Sequence, residues 1–211
     1  ILQNSYIHHY QKGETLFLKD QKIANFYIVL KGSVKLLIVN EEGQEAVVQI
    51  VNEGKYLTDI SGKVFLNSAE ALEDVIILAI GLENFRQQLK DNHSLALNML
   101  LDMSSQDRVL TNQISTLKLA DAKHKVGQFL LETAFEKGDR TNNINLKTEK
   151  SDIASYLGMK PETLSRNLKK LKDDGEIVIE KNQIILTREE SLCEYCNSEI
   201  SATCNRHKFD C

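Results

Sequence analysis

KSDIASYLGMKPETLSRNLKKL, running from Lys150 to Leu171, is the stretch from which the rest of the chain is read. Its pattern is two short helices with a forced turn between them. Ser151 or Asp152 is expected to cap the first, and Ile153, Ala154 and Leu157 fall at the spacing of a buried stripe. Gly158 supplies a residue that takes the left-handed conformation and ends a helix. Pro161 fits the first turn of the next helix, where its missing N–H costs nothing. Leu164, Leu168 and Leu171 then line one face, leaving Glu162, Ser165, Arg166, Lys169 and Lys170 on the other. Such a pair is a helix-turn-helix, and its second helix can enter a DNA major groove.

An ordinary helical hairpin with a solvated face would show the same apolar spacing, so charge separates the two readings. From Lys147 to Lys172 there are seven Lys/Arg and three Asp/Glu, a local +4 in a chain of formal net charge −4. Positive charge is concentrated where a phosphate backbone would lie. IASYLGMKPETLSRNLKKL (Ile153 to Leu171), with DDGEIVIEKNQIIL after it, resembles the DNA-binding domain of the CRP/FNR family of bacterial transcription regulators. Glu176–Glu180 and Gln183–Thr187 alternate around Lys181-Asn182 as a hairpin, the wing of a winged helix, whose tip lysine can meet phosphate.

The chain has 211 residues, enough for one large or two modest domains, and the composition of a globular protein with a real core. Its longest apolar run, Val75 to Ile80, is far short of the ~20 residues a membrane span needs. A cytoplasmic protein without a membrane partner is therefore expected. The chain begins at Ile1, so a few preceding residues are expected to have been trimmed, and nothing points to a signal peptide.

Residues 6–80 read as short strands parted by glycine turns. Phe26–Leu30, Val34–Val39, Glu45–Val51 and Val75–Ile80 are rich in β-branched and aromatic residues. Gly13, Gly32, Gly43 and Gly54 mark corners, with Glu41-Glu42-Gly43-Gln44 a hairpin tip. Strands at this spacing imply a barrel or jelly roll. The stretch from Gly13 to Leu57 is similar to the family's cyclic-nucleotide-binding-like β-roll, so the resemblance covers about Tyr6 to Leu186. Family members that take a cyclic nucleotide carry a Gly-Glu pair for the ribose and an Arg-Ser pair for the phosphate. The matching positions here are Thr58-Asp59 and Asn67-Ser68, joined by a shorter loop. Asn67 offers neutral hydrogen bonds where a phosphate favours a guanidinium fork. A cyclic nucleotide is not the expected effector.

Beyond Leu82 the period changes. Leu82–Leu89 is a short helix, and a long one begins after Asn92. Ala96, Leu100, Met103, Asp107, Leu110, Ile114 and Leu117 recur at alternating steps of four and three, a coiled-coil seam. The seam is narrow and matches the family's dimerisation helix, which implies a homodimer. Asp107 stands on it, either as a weak point facing its symmetry mate or as a slightly mis-phased surface residue. Asp121-Ala122-Lys123 then opens the second domain, and Val126, Phe129, Leu130 and Leu131 build its first helix. Gly138 to Asn143 is a polar loop of turn formers.

All four cysteines lie in the last nineteen residues, at Cys193, Cys196, Cys204 and Cys211. Clustering of this kind argues for a shared ligand. Four thiolates suit an iron–sulfur cluster or zinc, and Cys204-x2-His207 favours zinc. A thiol–disulfide switch and an inert tail are the remaining readings. The Bacillus-type FNR plan places its cluster cysteines after the DNA-binding domain, beginning with C-x2-C, and this tail is similar to it. That resemblance implies a 4Fe-4S cluster on Cys193, Cys196 and Cys204. The third cysteine stands further away here and a fourth is present, so Cys211 would replace that branch's aspartate, or Asp121 would serve.

The expected architecture is α+β. An N-terminal double-stranded β-helix spans 1–91 and a dimerisation helix 92–120. A winged helix-turn-helix spans 121–190 and a cysteine-rich tail 191–211. The expected function is a transcription regulator, not an enzyme, that senses oxygen or redox state through an iron–sulfur cluster. The alternative is a regulator sensing haem, nitric oxide or a small molecule in the β-roll, with His8 and His9 as candidate haem ligands and zinc on the tail cysteines. Glu162, Ser165 and Arg166 form the E-x-x-S-R trio that reads TTGAT half-sites in the FNR branch, flanked by Lys160, Thr163, Lys169 and Lys181. Pro161 stands where the cyclic-AMP branch has an arginine, so a TGTGA site is disfavoured. The expected partners are a TTGAT-N4-ATCAA duplex, a second copy of the chain and RNA polymerase.

Overall fold

The computed structural model describes residues 5–136, 143–145, 148–180, 183–187 and 195–196. It divides into two compact units, Ile1–Met103 and Ser104–Cys211.

The first unit is built from β1 (Ser5–Tyr10), β2 (Thr15–Phe17), β3 (Asn25–Lys31), β4 (Ser33–Val39), β5 (Glu45–Asn52), β6 (Ser68–Ala71) and β7 (Val75–Gly81), followed by α1 (Leu82–Asp91). The strands form two antiparallel sheets, ordered β1-β7-β3 and β2-β6-β4-β5. Phe26, Val29, Val34, Leu36, Ile77 and Phe85 are among the buried residues of one core, which Leu95 and Met99 of the next helix also touch. The expected β-roll is therefore present. Its corner at Gly32 is obligatory, because φ is +86° and an added Cβ would stand 2.7 Å from Val75. The hairpin tip is held by Asn40, whose Oδ1 accepts the N–H of Glu42 at 3.1 Å and of Gln44 at 2.8 Å.

The second unit carries α3 (Ala122–Glu136), β8 (Asn143–Asn145), α4 (Lys150–Tyr156), α5 (Pro161–Asp173), β9 (Ile177–Glu180) and β10 (Gln183–Leu186). β9 and β10 pair antiparallel with Gln183 opposite Glu180, as the wing requires. A third strand, β8, lies on the other side of β10. Asn143 thus opens a strand rather than ending a loop, while 138–142 lie outside the described residues. Ile144 is the reason: it is 1% exposed and packs into the core with Val126, Leu130, Leu164 and Ile184.

α2 (His93–Leu119) is one unbroken helix. Leu100, Met103, Leu110, Ile114 and Leu117 on it are 42–63% exposed, and Asp107 is exposed beside them. The stripe is broader than the expected seam in its first half, because Leu97 and Leu101 are equally open at 56% and 60%. No helix among the described residues is long and apolar enough to cross a membrane.

Candidate nucleic-acid interface

α4 begins at Lys150, one residue before the expected caps. The Ile153 N–H already donates to the Glu149 carbonyl at 3.1 Å, so Ser151 and Asp152 sit within the first turn. Asp152 there still complements the positive end of the helix. Gly158 ends the helix with φ +62°, and Pro161 starts α5 in the position that needs no N–H.

α5 divides cleanly into two faces. Leu164, Leu168 and Leu171 are at most 4% exposed. Asn167 is buried with them, and its Nδ2 donates to the Thr163 carbonyl at 2.8 Å. That buried polar residue was not legible beforehand, since its spacing fits the apolar face but its chemistry does not. On the other face Glu162, Ser165, Arg166, Lys169 and Lys170 are exposed, as is Lys160 just before the helix, while Thr163 is half-buried. Among the described residues, no side-chain hydrogen bond or ion pair holds Glu162, Arg166 or Lys169. Their carboxylate, guanidinium and ammonium groups face water with donors and acceptors uncommitted, which is what reading base edges and phosphates demands. Lys181 lies outside the described residues.

The second half of α2 is tied to this platform. The Gln113 Nε2 donates to the Tyr156 hydroxyl of α4. The Thr116 hydroxyl donates to Gln128 Oε1 of α3 at 2.8 Å, and Lys125 Nζ donates to the Leu117 carbonyl at 2.9 Å. Sequence periodicity cannot reveal these links, because the partners lie on different helices.

Of the candidate metal ligands, Cys196 is half-buried against the core of the second unit. Cys193, Cys204, Cys211 and His207 lie outside the described residues. Asp121 has a structural task, since its Oδ1 accepts the His124 N–H at 2.8 Å and caps α3. His8 and His9 are both exposed on β1, and as neighbours on a strand they face opposite sides.

In the β-roll, three of the four positions expected to match a nucleotide pocket, Thr58, Asp59 and Ser68, hold the chain. The Thr58 hydroxyl accepts the Tyr27 N–H at 2.9 Å and donates to the Asn25 carbonyl at 3.2 Å. Asp59 Oδ1 accepts the N–H and hydroxyl of Ser61 at 2.8 and 2.7 Å, and that hydroxyl bond first of all holds the carboxyl below its usual range. Ser68 Oγ accepts the Lys19 N–H at 3.0 Å. Arg86 donates through Nε and one terminal nitrogen to the Ile60 carbonyl, at 3.1 and 2.6 Å.

Comparison with known proteins agrees with both halves. Residues 7–92 match the family description "Cyclic nucleotide-binding domain" and residues 124–195 match "Crp-like helix-turn-helix domain". The cAMP-activated global transcriptional regulator CRP of Escherichia coli O157:H7 is 25% identical, over 88% of this chain and 91% of that protein. The global nitrogen regulator of Nostoc sp. is 29% identical over 87% and 86%. The fumarate and nitrate reduction regulatory protein of Escherichia coli K12 is 24% identical over 87% and 76%. Among solved structures, FixK2 from Bradyrhizobium japonicum superposes with a TM-score of 0.84 at 22% identity, covering 92% of this chain and 98% of that one.

Proposed function

The chain belongs to the CRP/FNR family of DNA-binding transcription regulators, and from that premise we propose that it reads TTGAT-N4-ATCAA as a homodimer, under control of an iron–sulfur cluster on its C-terminal cysteines. The observation that carries the DNA half is the uncommitted outer face of α5. A glutamate carboxylate at 162 accepts from cytosine N4, and the guanidinium of Arg166 pairs with guanine O6 and N7. Ser165 between them is short enough to admit a thymine methyl. Lys160, Thr163, Lys169 and Lys181 contact phosphates, which position without specifying. The exposed leucines of α2 pair across a two-fold axis. That symmetry sets inverted half-sites about one helical turn apart.

The sensing half rests on donor chemistry. Four cysteines follow the DNA-binding domain within nineteen residues, and soft thiolates are the ligands iron–sulfur clusters take. When bound, the cluster supplies one-electron chemistry and reactivity toward oxygen. Cys193, Cys196, Cys204 and Cys211 would hold it, with Asp121 or His207 as substitutes. Cyclic nucleotide does not fit this reading, because Thr58, Asp59 and Ser68 already serve the roll's own backbone. Haem on the β-roll is disfavoured by His8 and His9 facing opposite sides of β1. RNA polymerase is the partner through which bound DNA would be read out.

Anaerobic purification followed by iron, acid-labile sulfide and visible absorbance measurements tests the sensing half. Iron and sulfide should be present, and both should vanish when Cys193, Cys196 or Cys204 is replaced by serine. Stoichiometric zinc without iron would instead assign the tail a structural zinc.

A further inference from the structure

The helix α5 hands over to β9, the first strand of the wing, at a corner just beyond its C-terminal end. Gly175 makes that corner with φ +73°. On either side of it stand Asp174 and Glu176, and Lys123 from the start of α3 donates to both, to Asp174 Oδ2 and Glu176 Oε1, each at 2.7 Å. Thr187, just beyond β10, donates its N–H to the Glu176 carbonyl at 3.1 Å and its hydroxyl to the Gly175 carbonyl. Four segments therefore meet here, α3, the end of α5, the start of β9 and the end of β10, and one residue from further along the chain joins them.

That residue is Tyr195. Glu176 is only 8% exposed, so its second carboxylate oxygen needs a donor inside the protein. The Tyr195 hydroxyl donates to it at 3.0 Å. The ring is 3% exposed, stands edge-on to His124 at 5.4 Å and lies 5.9 Å from the Lys123 ammonium. Its seat is Gly127, where an added Cβ would come within 2.5 Å of the ring. Glycine inside a helix is a local weakness, and here the absent side chain is what lets the ring in. Cys196 is the next residue.

We propose that Tyr195 is a positioning residue for DNA reading, locking the corner between the recognition helix and the wing and passing the state of the adjoining cysteine segment to both. The locking stands on the contacts above, whereas the passing-on rests on the thiol site proposed in the preceding section. A phenol that leaves its seat strips a donor from a buried carboxylate and loosens the pair of elements that grip DNA.

Two arms test this. In metal-free, reduced protein, affinity is measured for a duplex carrying the site returned by selection from random sequences, and for a scrambled duplex. Tyr195→Phe keeps the ring and removes the donor. Its ratio of the two affinities should fall about tenfold, the scale of one lost buried hydrogen bond, with the thermal midpoint lowered by only several degrees and the protein still folded at the assay temperature. An unchanged ratio, or equal losses on both duplexes, would overturn the positioning role. Gly127→Ala should reproduce the Tyr195→Phe result by crowding the ring. If it does not fold, the phenylalanine variant alone decides. In the second arm both proteins are reconstituted anaerobically with iron and sulfide. Wild type should change its operator affinity on loading, and Tyr195→Phe should change it several-fold less. An equal response in both would overturn the passing-on. Failure of wild type to take up iron would overturn the cluster and the passing-on together, with the first arm still deciding the lock.

Discussion

The outer face of α5 and the segment from Thr58 to Ser68 both carry polar side chains, yet they differ in one respect. On α5, the exposed Glu162, Arg166 and Lys169 have no structural task among the described residues. In the β-roll, Thr58, Asp59 and Ser68 each hold a backbone N–H of their own unit. Polar groups left idle by the fold are available to a partner, because binding then costs no internal bond. Polar groups that fasten the chain are less so: taking the buried Thr58 hydroxyl from the Tyr27 N–H would cost about 1–3 kcal/mol, and releasing the exposed Asp59 or half-buried Ser68 would cost less. The fold thus leaves these α5 groups open to water while it commits Thr58, Asp59 and Ser68 to its own backbone.

The comparison breaks most severely if the α5 faces cannot be presented in pairs. Leu110→Arg or Ile114→Arg on α2 should abolish operator binding, because an unpaired charge at a helix seam costs several kcal/mol, about 3–5 in buried settings. Light scattering should show the protomers apart, and a dimer that persists would remove α2 from the interface. A smaller effect separates the readers on α5 from its positioners. Arg166→Ala should lose ~1–3 kcal/mol of discrimination at one guanine. Lys169→Ala should weaken all duplexes alike and flatten the salt dependence by about one unit of slope, as filter titrations at several salt concentrations would show.

The smallest effect belongs to the β-roll. Asp59 has its carboxyl lowered from 3.8 mainly by the Ser61 hydroxyl, so the ionised form is the one the fold favours. Its contribution is present above the unfolded value and fades as pH falls through the folded one. Asp59→Asn should therefore shallow the acid limb of a stability-against-pH curve below about pH 4. Cyclic AMP should leave both curves where they are, and a rise in thermal midpoint on adding it would reopen the pocket.

How far the sequence carried depends on how local each signal is. Leu164, Leu168 and Leu171 announce a helix by spacing alone, and Gly158 and Pro161 punctuate it. β2, β6 and β8 are three or four residues long, too short for alternation to show, and β1 is mostly exposed on a sheet edge. Buried Ile144 gave no warning of β8 because its neighbours are asparagines that read as loop. Asn167 and Tyr195 were missed for a related reason: each is defined by a partner rather than a pattern, and the Glu176 that receives Tyr195 lies 19 residues earlier. The clustering of cysteines was visible at once, whereas what they ligate depends on chemistry that spacing does not fix.

The central claim is that the idle face of α5 reads a defined operator through Glu162, Ser165 and Arg166, and selection of binding sites from random duplexes tests it most directly. The expected result is enrichment of TTGAT-N4-ATCAA, with each wrong base pair costing ~1–3 kcal/mol. Enrichment of TGTGA-type half-sites, or of sequences unrelated to either, would contradict it.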